Sequence, residues 1–213
     1  MAVTWFHPVL LSLAAMLWSA TLSPSNPPAL KAPPDHVSLA GELLVASPGI
    51  VDPRFRHAVI LIAKEDAGGA LGIVINRPIG TIPLASLLHA MGLNATGVKG
   101  DVRTFSGGPV EPDLGFVLHG ADYHRAGTIA IDGRVAMTLN PDILLDIGHG
   151  RGPAKYLIAF GYAGWGPGQL AAELARGDWL ITGENAGLVF DEDRARVWHD
   201  AMADAMTQGA APP

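Results

Sequence analysis

The stretch GELLVASPGIVDPRFRHAVILIAKEDAGGALGIVINRP, residues 41–78, decides the fold of this chain. It contains three short runs of aliphatic and β-branched residues, at 43–46, 58–63 and 71–75. Each run is bounded by glycine, proline or aspartate, a pattern typical of buried strands that are joined by tight turns. We therefore predict three consecutive strands at the start of the folded domain.

Working outward from this stretch, the chain contains more strand-like runs than helical ones. Further strands are predicted at 102–105, 115–118, 128–131, 135–138, 156–160, 179–182 and 188–190. Helical periodicity and capping residues predict helices at 83–91, 140–147, 166–177 and 191–206. Because the strands come in groups, the expected class is α+β, a compact single domain of coiled, mixed or largely antiparallel sheet with about four flanking helices. This domain is expected to span residues 37–206.

The composition argues against several classes of function. The 213 residues include 14 Lys and Arg against 20 Asp and Glu, a net charge of −6, and the basic residues are scattered singly. Direct nucleic-acid binding is not expected, because it requires clustered basic residues that follow the phosphates. With no cysteine the chain can form no disulfide and no thiolate metal site. The eight histidines lack the spacing of metal ligands, so we expect no bound metal and no cofactor.

The two ends of the chain differ in composition from the domain. Residues 9–20 form an uncharged apolar run that is shorter than the roughly 20 residues of a membrane-spanning helix and closer to the apolar region of a signal peptide. A proline-rich stretch at 23–34 is typical of an extended linker. Residues 1–36 are therefore a weak export signal, a membrane-tethering segment or an extension upstream of the true translation start. Residues 207–213 are predicted to be a disordered tail.

Four sequence blocks carry a resemblance to a known family. They are VASPGIVDPRFRHAVILI (45–62), GALGIVINRP (69–78), FSGGPVEPDLGFVLH (105–119) and GYAGWGPGQLAAEL with GDWL (161–180). Taken together, these blocks resemble the AlgH/YqgE proteins, a widespread bacterial family whose members are mostly uncharacterised. The resemblance covers residues 41–205 and leaves residues 1–36 outside it.

The resemblance implies a coiled, partly bifurcated sheet flanked by helices, and a cytoplasmic protein unless residues 9–20 export it or tether it to a membrane. The AlgH name is associated with a suggested regulatory role in alginate production. Regulation would act through another protein, because the chain is acidic and has no helix-turn-helix pattern. Many relatives carry Cys or His where this chain has Ala63, Lys64 and Glu65, so no role that uses those side chains can be transferred.

The densest cluster of ionisable residues lies in the turn between the first two predicted strands. It comprises Asp52, Arg54, Arg56 and His57. These side chains could bind an acidic ligand. They could instead form a turn in which Asp52 caps the backbone and the arginines make solvated ion pairs, and this second interpretation is favoured because ionisable residues are common in turns.

Gly107 and Gly108 lie in the sequence FSGGP, and a serine beside glycines is one feature of a nucleophilic turn. The nucleophile elbow requires a glycine two residues before the serine and a helix after it, and this segment has neither. We therefore expect the two glycines to allow a tight bend or a close approach of two backbones.

The second glycine-rich segment, residues 161–168, is predicted to connect a strand to a helix. Its amides could cradle an anion, but it lacks the Lys and Ser/Thr of a phosphate-binding loop. The favoured interpretation is a structural loop that Trp165 anchors. Valine at Gly164 or Gly166 is then expected to destabilise the protein if either site requires a positive φ.

Two functional hypotheses remain. In the first, the domain is a non-enzymatic binding or regulatory module that contacts an unknown protein partner or a small ligand. In the second, it is an enzyme of unknown class, with unknown catalytic residues, whose cleft lies near residues 52–57 and the glycine-rich loops. The residues proposed for a ligand or partner surface are Asp52, Arg54, Arg56, Gly107, Gly108 and Trp165.

An enzyme requires converging titratable groups with shifted pKa values, so the tertiary structure can discriminate between the two hypotheses. We expect that no pocket gathers the following residues within hydrogen-bond reach: Asp52, Arg54, Glu111, His119 and Gln169.

Overall fold

A computed structural model describes residues 38–183 and 185–209 of the chain. The strands are β1 (Leu43–Ala46), β2 (Val59–Asp66), β3 (Gly69–Val74), β4 (Pro78–Pro83), β5 (Asp101–Ser106), β6 (Val110–Gly120), β7 (Thr128–Ala130), β8 (Val135–Thr138), β9 (Tyr156–Trp165) and β10 (Trp179–Thr182). The helices are α1 (Leu84–Ala90), α2 (Asp142–Gly148), α3 (Gln169–Ala175), α4 (Ala186–Val189) and α5 (Val197–Gly209), and a 3₁₀ turn spans Pro53–Phe55. The predictions for residues 1–36 fall outside the described residues.

The sheet divides along β9. Its strand order is β10-β1-β2-β3-β9-β6-β8-β7, and β4 and β5 branch from β9. The first half of β9 lies between β5 and β6, whereas its second half pairs with β3. The β5–β9 pair is parallel, and the other strand pairs within the described residues are antiparallel. The predicted α+β class with a largely antiparallel, bifurcated sheet is confirmed.

Strand β1 is buried on both faces, which explains why its sequence is a continuous apolar run. Leu43 and Val45 contribute to the core cluster that α5 covers. Leu44 and Ala46 contribute to a second cluster on the opposite face, which contains Trp165. The stretch that decides the fold therefore forms the partition between two cores.

Two predictions near the C-terminus are wrong. Residues 188–190 were expected to form a strand, but residues 186–189 form α4, which brings the number of α-helices in the described part of the chain to five. The side chain of Asn185 caps this helix by accepting a hydrogen bond from Gly187 N at 3.0 Å. A short aliphatic run suits a strand and a buried helical turn equally well, so its periodicity could not discriminate between them.

The last helix begins at Val197 rather than at residue 191. Asp191 and Asp193 accept hydrogen bonds from backbone N–H groups two residues ahead, which favours turns over helix. The helix continues to Gly209, so residues 207–209 are helical rather than part of a disordered tail. Residues 210–213 lie outside the described part.

Strand β4 was not predicted, because Pro78, Gly80 and Pro83 are unfavourable in a strand. It pairs only with β5 among the described strands, and an edge position is where a strand tolerates proline. Similarly, residues 161–165 are strand rather than loop, because they pair with β3 from Ala70 to Gly72.

Candidate functional site

A cleft of about 580 Å³ opens between the turn after β1, the start of β6 and helix α3. We call it the tryptophan cleft. It is lined by residues 50–55, 109–110, 164–165, 169, 173, 176 and 178–179. The extension of β9 to Trp165 positions its inner wall, because this part of the strand is held by its pairing with β3.

Glu173, on α3, organises the floor of the cleft. Its Oε2 accepts hydrogen bonds from the indole Nε1 of Trp165 and of Trp179, each at 2.8 Å. Its Oε1 accepts a hydrogen bond from Gln169 Nε2 at 2.9 Å. The two indole rings meet edge to face with their centroids 6.1 Å apart. Both carboxylate oxygens are therefore engaged in holding aromatic and amide groups in place.

Asp52 and Arg54 form one side of the rim. Asp52 caps the 3₁₀ turn by accepting a hydrogen bond from Arg54 N at 2.9 Å, and its Oδ2 accepts one from Arg54 Nη2 at 2.7 Å. The hydrogen bond from the Arg54 side chain lowers the pKa of Asp52 below its usual value. Across the cleft, Arg176 and Asp178 form a second ion pair at 2.6 Å. The interpretation of the turn as a capped, ion-paired structure thus agrees with the structure at Asp52 and Arg54.

The residues proposed from sequence divide among three places. Asp52, Arg54 and Trp165 line the tryptophan cleft. Arg56 lines a separate pocket on the other side of the same turn. Gly107 and Gly108 line neither cavity, and they immediately precede the cleft residue Pro109.

Gly107 and Gly108 cross β9 at close range. Gly107 N donates a hydrogen bond to Phe160 O at 2.7 Å, and Gly107 O accepts one from Val74 N at 2.8 Å. A Cβ atom at Gly107 would overlap Gly161 O, and one at Gly108 would overlap the Tyr162 carbonyl. These glycines therefore allow the close backbone approach that was expected of them.

The five side chains on which the enzyme hypothesis depended do not converge. Asp52 and Arg54 are hydrogen-bonded to each other. Gln169 lines the same cleft, but its side chain is hydrogen-bonded to Glu173. Glu111 lies outside the cleft lining and accepts a hydrogen bond from the Tyr162 hydroxyl at 3.4 Å. His119 is fully buried in β6 and lines neither cavity.

His119 is held in the core as the neutral imidazole. Its Nδ1 is 2.9 Å from Gly120 O, and its Nε2 is 2.9 Å from Thr138 Oγ1. A carbonyl can only accept, so Nδ1 carries the proton and Nε2 accepts from the threonine hydroxyl. Burial lowers the pKa of His119 below 6.5, because the core disfavours the charged ring.

We expect His119 to make folding stability depend on pH. The unfolded chain takes up a proton at this residue near pH 6.5, whereas the folded chain does so only at a lower pH. The contribution of His119 to stability is therefore fully present above about pH 6.5 and declines as the pH falls through the lowered pKa. Urea denaturation of His119→Gln at several pH values should show a weaker decline than the wild type. The exposed His89→Gln variant is the control and should retain the wild-type decline, whereas equal declines in all three proteins would contradict the prediction.

Two residues of the cleft, Glu173 and Trp179, were not identified from the sequence. The available signal for Glu173 was its i, i+4 relation to Gln169, which places both on one face of α3. No comparable local signal marks Trp179, which reaches the cleft through the pairing of β10 with β1.

The described part of the chain contains neither a cluster of metal ligands nor a helix suited to span a membrane. Within residues 38–183 and 185–209, no three His, Asp or Glu side chains are grouped so that they could hold a metal ion. No helix in those ranges has the length and apolar character needed to cross a membrane.

Comparison with known proteins gives one consistent match. Residues 43–209 match the family model described as AlgH-like. A UPF0301 protein of Methylococcus capsulatus is 41% identical over 173 residues, covering 81% of this chain and 94% of its own length. A UPF0301 protein of a Jannaschia species is 46% identical over 166 residues, covering 77% and 86%.

Solved structures show the same fold. The solution structure of the AlgH protein from Pseudomonas aeruginosa is 33% identical and matches with a TM-score of 0.63, covering 86% of this chain and 97% of that one. A crystal structure of a Corynebacterium diphtheriae protein matches with the same TM-score at 20% identity, covering 78% and 87%, which supports the fold alone.

Proposed function

This chain belongs to the AlgH-like family, and we propose that it acts as a non-enzymatic binding module that holds an extended segment of a partner protein in the tryptophan cleft. One observation carries the proposal. The polar side chains of the cleft form hydrogen bonds and ion pairs with one another, whereas two valines at its mouth are exposed to solvent.

The exposed valines suggest an apolar contact. Val51 is 90% exposed and Val110 is 37% exposed, and both line the cleft. Full burial of an exposed valine side chain contributes about 1.5 kcal/mol or more, so most of the gain from a partner that covers both would come from Val51. Behind them the ring of Phe55 packs edge to face on Trp179 at 5.5 Å, which gives the cleft an aromatic wall. Clusters of this kind are frequent centres of protein interfaces.

The rim supplies polar groups of both signs. The Asp52–Arg54 and Arg176–Asp178 pairs flank the apolar mouth, and such charges orient a partner more than they add affinity. The volume of about 580 Å³ accommodates a few side chains of a peptide. A regulatory role through protein contact is consistent with this arrangement and with the net charge of −6, which disfavours DNA.

An enzyme of unknown class, with its cleft at the same place, is the alternative. Acid–base catalysis works best with a group whose pKa lies near the operating pH. The pKa of Asp52 is lowered, which takes it further from neutral pH. Both carboxylate oxygens of Glu173 accept hydrogen bonds from protein donors. These two observations favour binding over catalysis.

The proposal is tested by selecting short peptides from a random displayed library on the full-length protein. We expect the enriched peptides to share apolar residues and to bind the wild type saturably. The double variant Val51→Asp, Val110→Asp should weaken the affinity by at least about tenfold, because two charges then face the apolar ligand.

The matched control is Ile79→Asp. Ile79 is a β-branched aliphatic residue like valine, it is 64% exposed, and it lies on β4 outside the cleft. This variant should bind the selected peptides as the wild type does, and all variants should have unchanged urea midpoints. If no sequence is enriched, or if the double variant binds as well as the wild type, the cleft is not the binding site.

A further inference from the structure

A second cavity, of about 230 Å³, lies on the other side of the turn that carries Arg54. We call it the arginine pocket. Its lining includes Arg56, His57, Arg77, Arg194, Trp198 and His199. It shares no lining residue with the tryptophan cleft, so an inference about it does not depend on the proposed function.

The arginine pocket concentrates positive charge in an acidic protein. Three guanidinium groups and two imidazoles line it, and no carboxylate is among its described lining residues. The nearby carboxylates do not line the pocket. Asp52 forms an ion pair with Arg54. Asp191 and Glu192 raise the pKa of Arg194, but less than burial lowers it. The pocket therefore presents excess positive charge.

Arg194 is the deepest of these residues, because it is only 8% exposed. Its Nη1 donates hydrogen bonds to Val189 O at 2.9 Å and to Ile75 O at 3.3 Å. Its Nε is buried and has no hydrogen-bond partner among the described residues. The guanidinium lies 4.9 Å from the centroid of the Phe105 ring, and no carboxylate forms an ion pair with it among the described residues. Burial lowers the pKa of Arg194 below its usual value.

The wall of the pocket is pre-arranged by hydrogen bonds. His57 has a φ of 57°, an uncommon conformation for a residue other than glycine. Asn76 Nδ2 donates a hydrogen bond to His57 O at 2.8 Å, and Asn76 Oδ1 accepts one from Val59 N at 3.0 Å. Arg77 Nη2 donates a hydrogen bond to Arg56 O at 3.0 Å. The ring of His57 is thereby held 4.3 Å from the ring of Trp198, at the edge of the pocket.

Arg56 differs from the other two arginines because its side chain is exposed and forms no hydrogen bond or ion pair within the described residues. A guanidinium group presents a rigid fork of donors that matches the oxygens of a phosphate. The volume of about 230 Å³ is below the roughly 300–1,000 Å³ of pockets for larger ligands, so the occupant must be small.

We propose that the arginine pocket binds a small, multiply charged anion of the phosphate class, with Arg56 at the entrance and Arg194 at the base. The anion provides the negative charge that the lining lacks. The side chains of His57 and His199 flank it, and Trp198 closes one side.

The test is a titration of the full-length protein with pyrophosphate at an ionic strength kept constant with sodium chloride. NMR is expected to show saturable changes at the amides of Arg56 and His57 and at the indole N–H of Trp198. Arg56→Gln should weaken the affinity by about tenfold, because it removes one charge-assisted contact. Malonate, a dicarboxylate that carries less negative charge than pyrophosphate, should bind more weakly than pyrophosphate.

Arg196→Gln is the matched control, because Arg196 carries the same charge as Arg56 and lies two residues after the pocket residue Arg194, but it does not line the pocket. It should bind pyrophosphate as the wild type does. The site is rejected if pyrophosphate causes no saturable change, or if Arg56→Gln and Arg196→Gln lose affinity equally. Equal binding of malonate would reject the assignment to phosphate.

Discussion

Gly161→Ala is expected to lower the free energy of unfolding by about 3–5 kcal/mol, through a strained φ together with overpacking. Gly161 has a φ of 74° in the middle of β9, where side chains other than glycine are strained. A Cβ atom there would also overlap Gly108 O and lie 3.0 Å from Val110 O. Guanidinium denaturation of the full-length protein measures the loss.

The matched control for this prediction is Gly168→Ala. Gly168 has nearly the same φ, 72°, but a Cβ atom would meet no other atom within 4 Å. Its loss should be only about 1–2 kcal/mol, the cost of a left-handed conformation alone. If both variants lose the same free energy of unfolding, the backbone at Gly107 and Gly108 can move away from β9 at little cost. The close approach would then not constrain the sheet.

The structure also corrects an expectation from the sequence. Gly164 and Gly166 were the glycines expected to be intolerant of valine if they required a positive φ, and neither of them has one. The nearest atom to a Cβ at Gly164 is 3.2 Å away and at Gly166 is 3.9 Å away. The strict positions within residues 161–168 are therefore Gly161 and, more weakly, Gly168.

Trp165→Ala is also expected to lower the free energy of unfolding by about 3–5 kcal/mol, the usual loss when a large buried aromatic ring is removed. The ring is only 6% exposed, packs on Trp179, and lies so close to Gly72 that a Cβ atom there would be 3.2 Å from Trp165 Cζ3. When the ring is removed, Glu173 still accepts the hydrogen bond from Trp179 Nε1. The lost stability therefore reflects lost packing and not a carboxylate without a partner.

Trp165→Phe is the control, because it keeps an aromatic ring and removes the indole N–H. It should lose about 1.5–3 kcal/mol, the cost of one hydrogen bond to a charged group, because the packing changes little. Guanidinium denaturation of both variants separates the two contributions. A different outcome, unchanged stability together with loss of peptide binding, would make Trp165 a ligand contact and not a structural anchor.

The sequence by itself determined the elements that depend on local pattern. The apolar runs that became β1, β2 and β3 are bounded by turn-forming residues, and buried strands need little more than this to be recognised. The bond between Asp52 and Arg54 could also be anticipated, because the two residues are two positions apart and capping is a local interaction.

Only the tertiary structure decided which side chains meet across the fold. Glu173 joins Trp165 and Trp179 because the pairings of β9 with β3 and of β10 with β1 bring their ends to α3. Arg194 reaches the pocket of Arg56 because the chain returns after α4 to the end of β3. Such contacts depend on strand order and register, which arise from the packing of the whole sheet and leave no signal in the residues nearby.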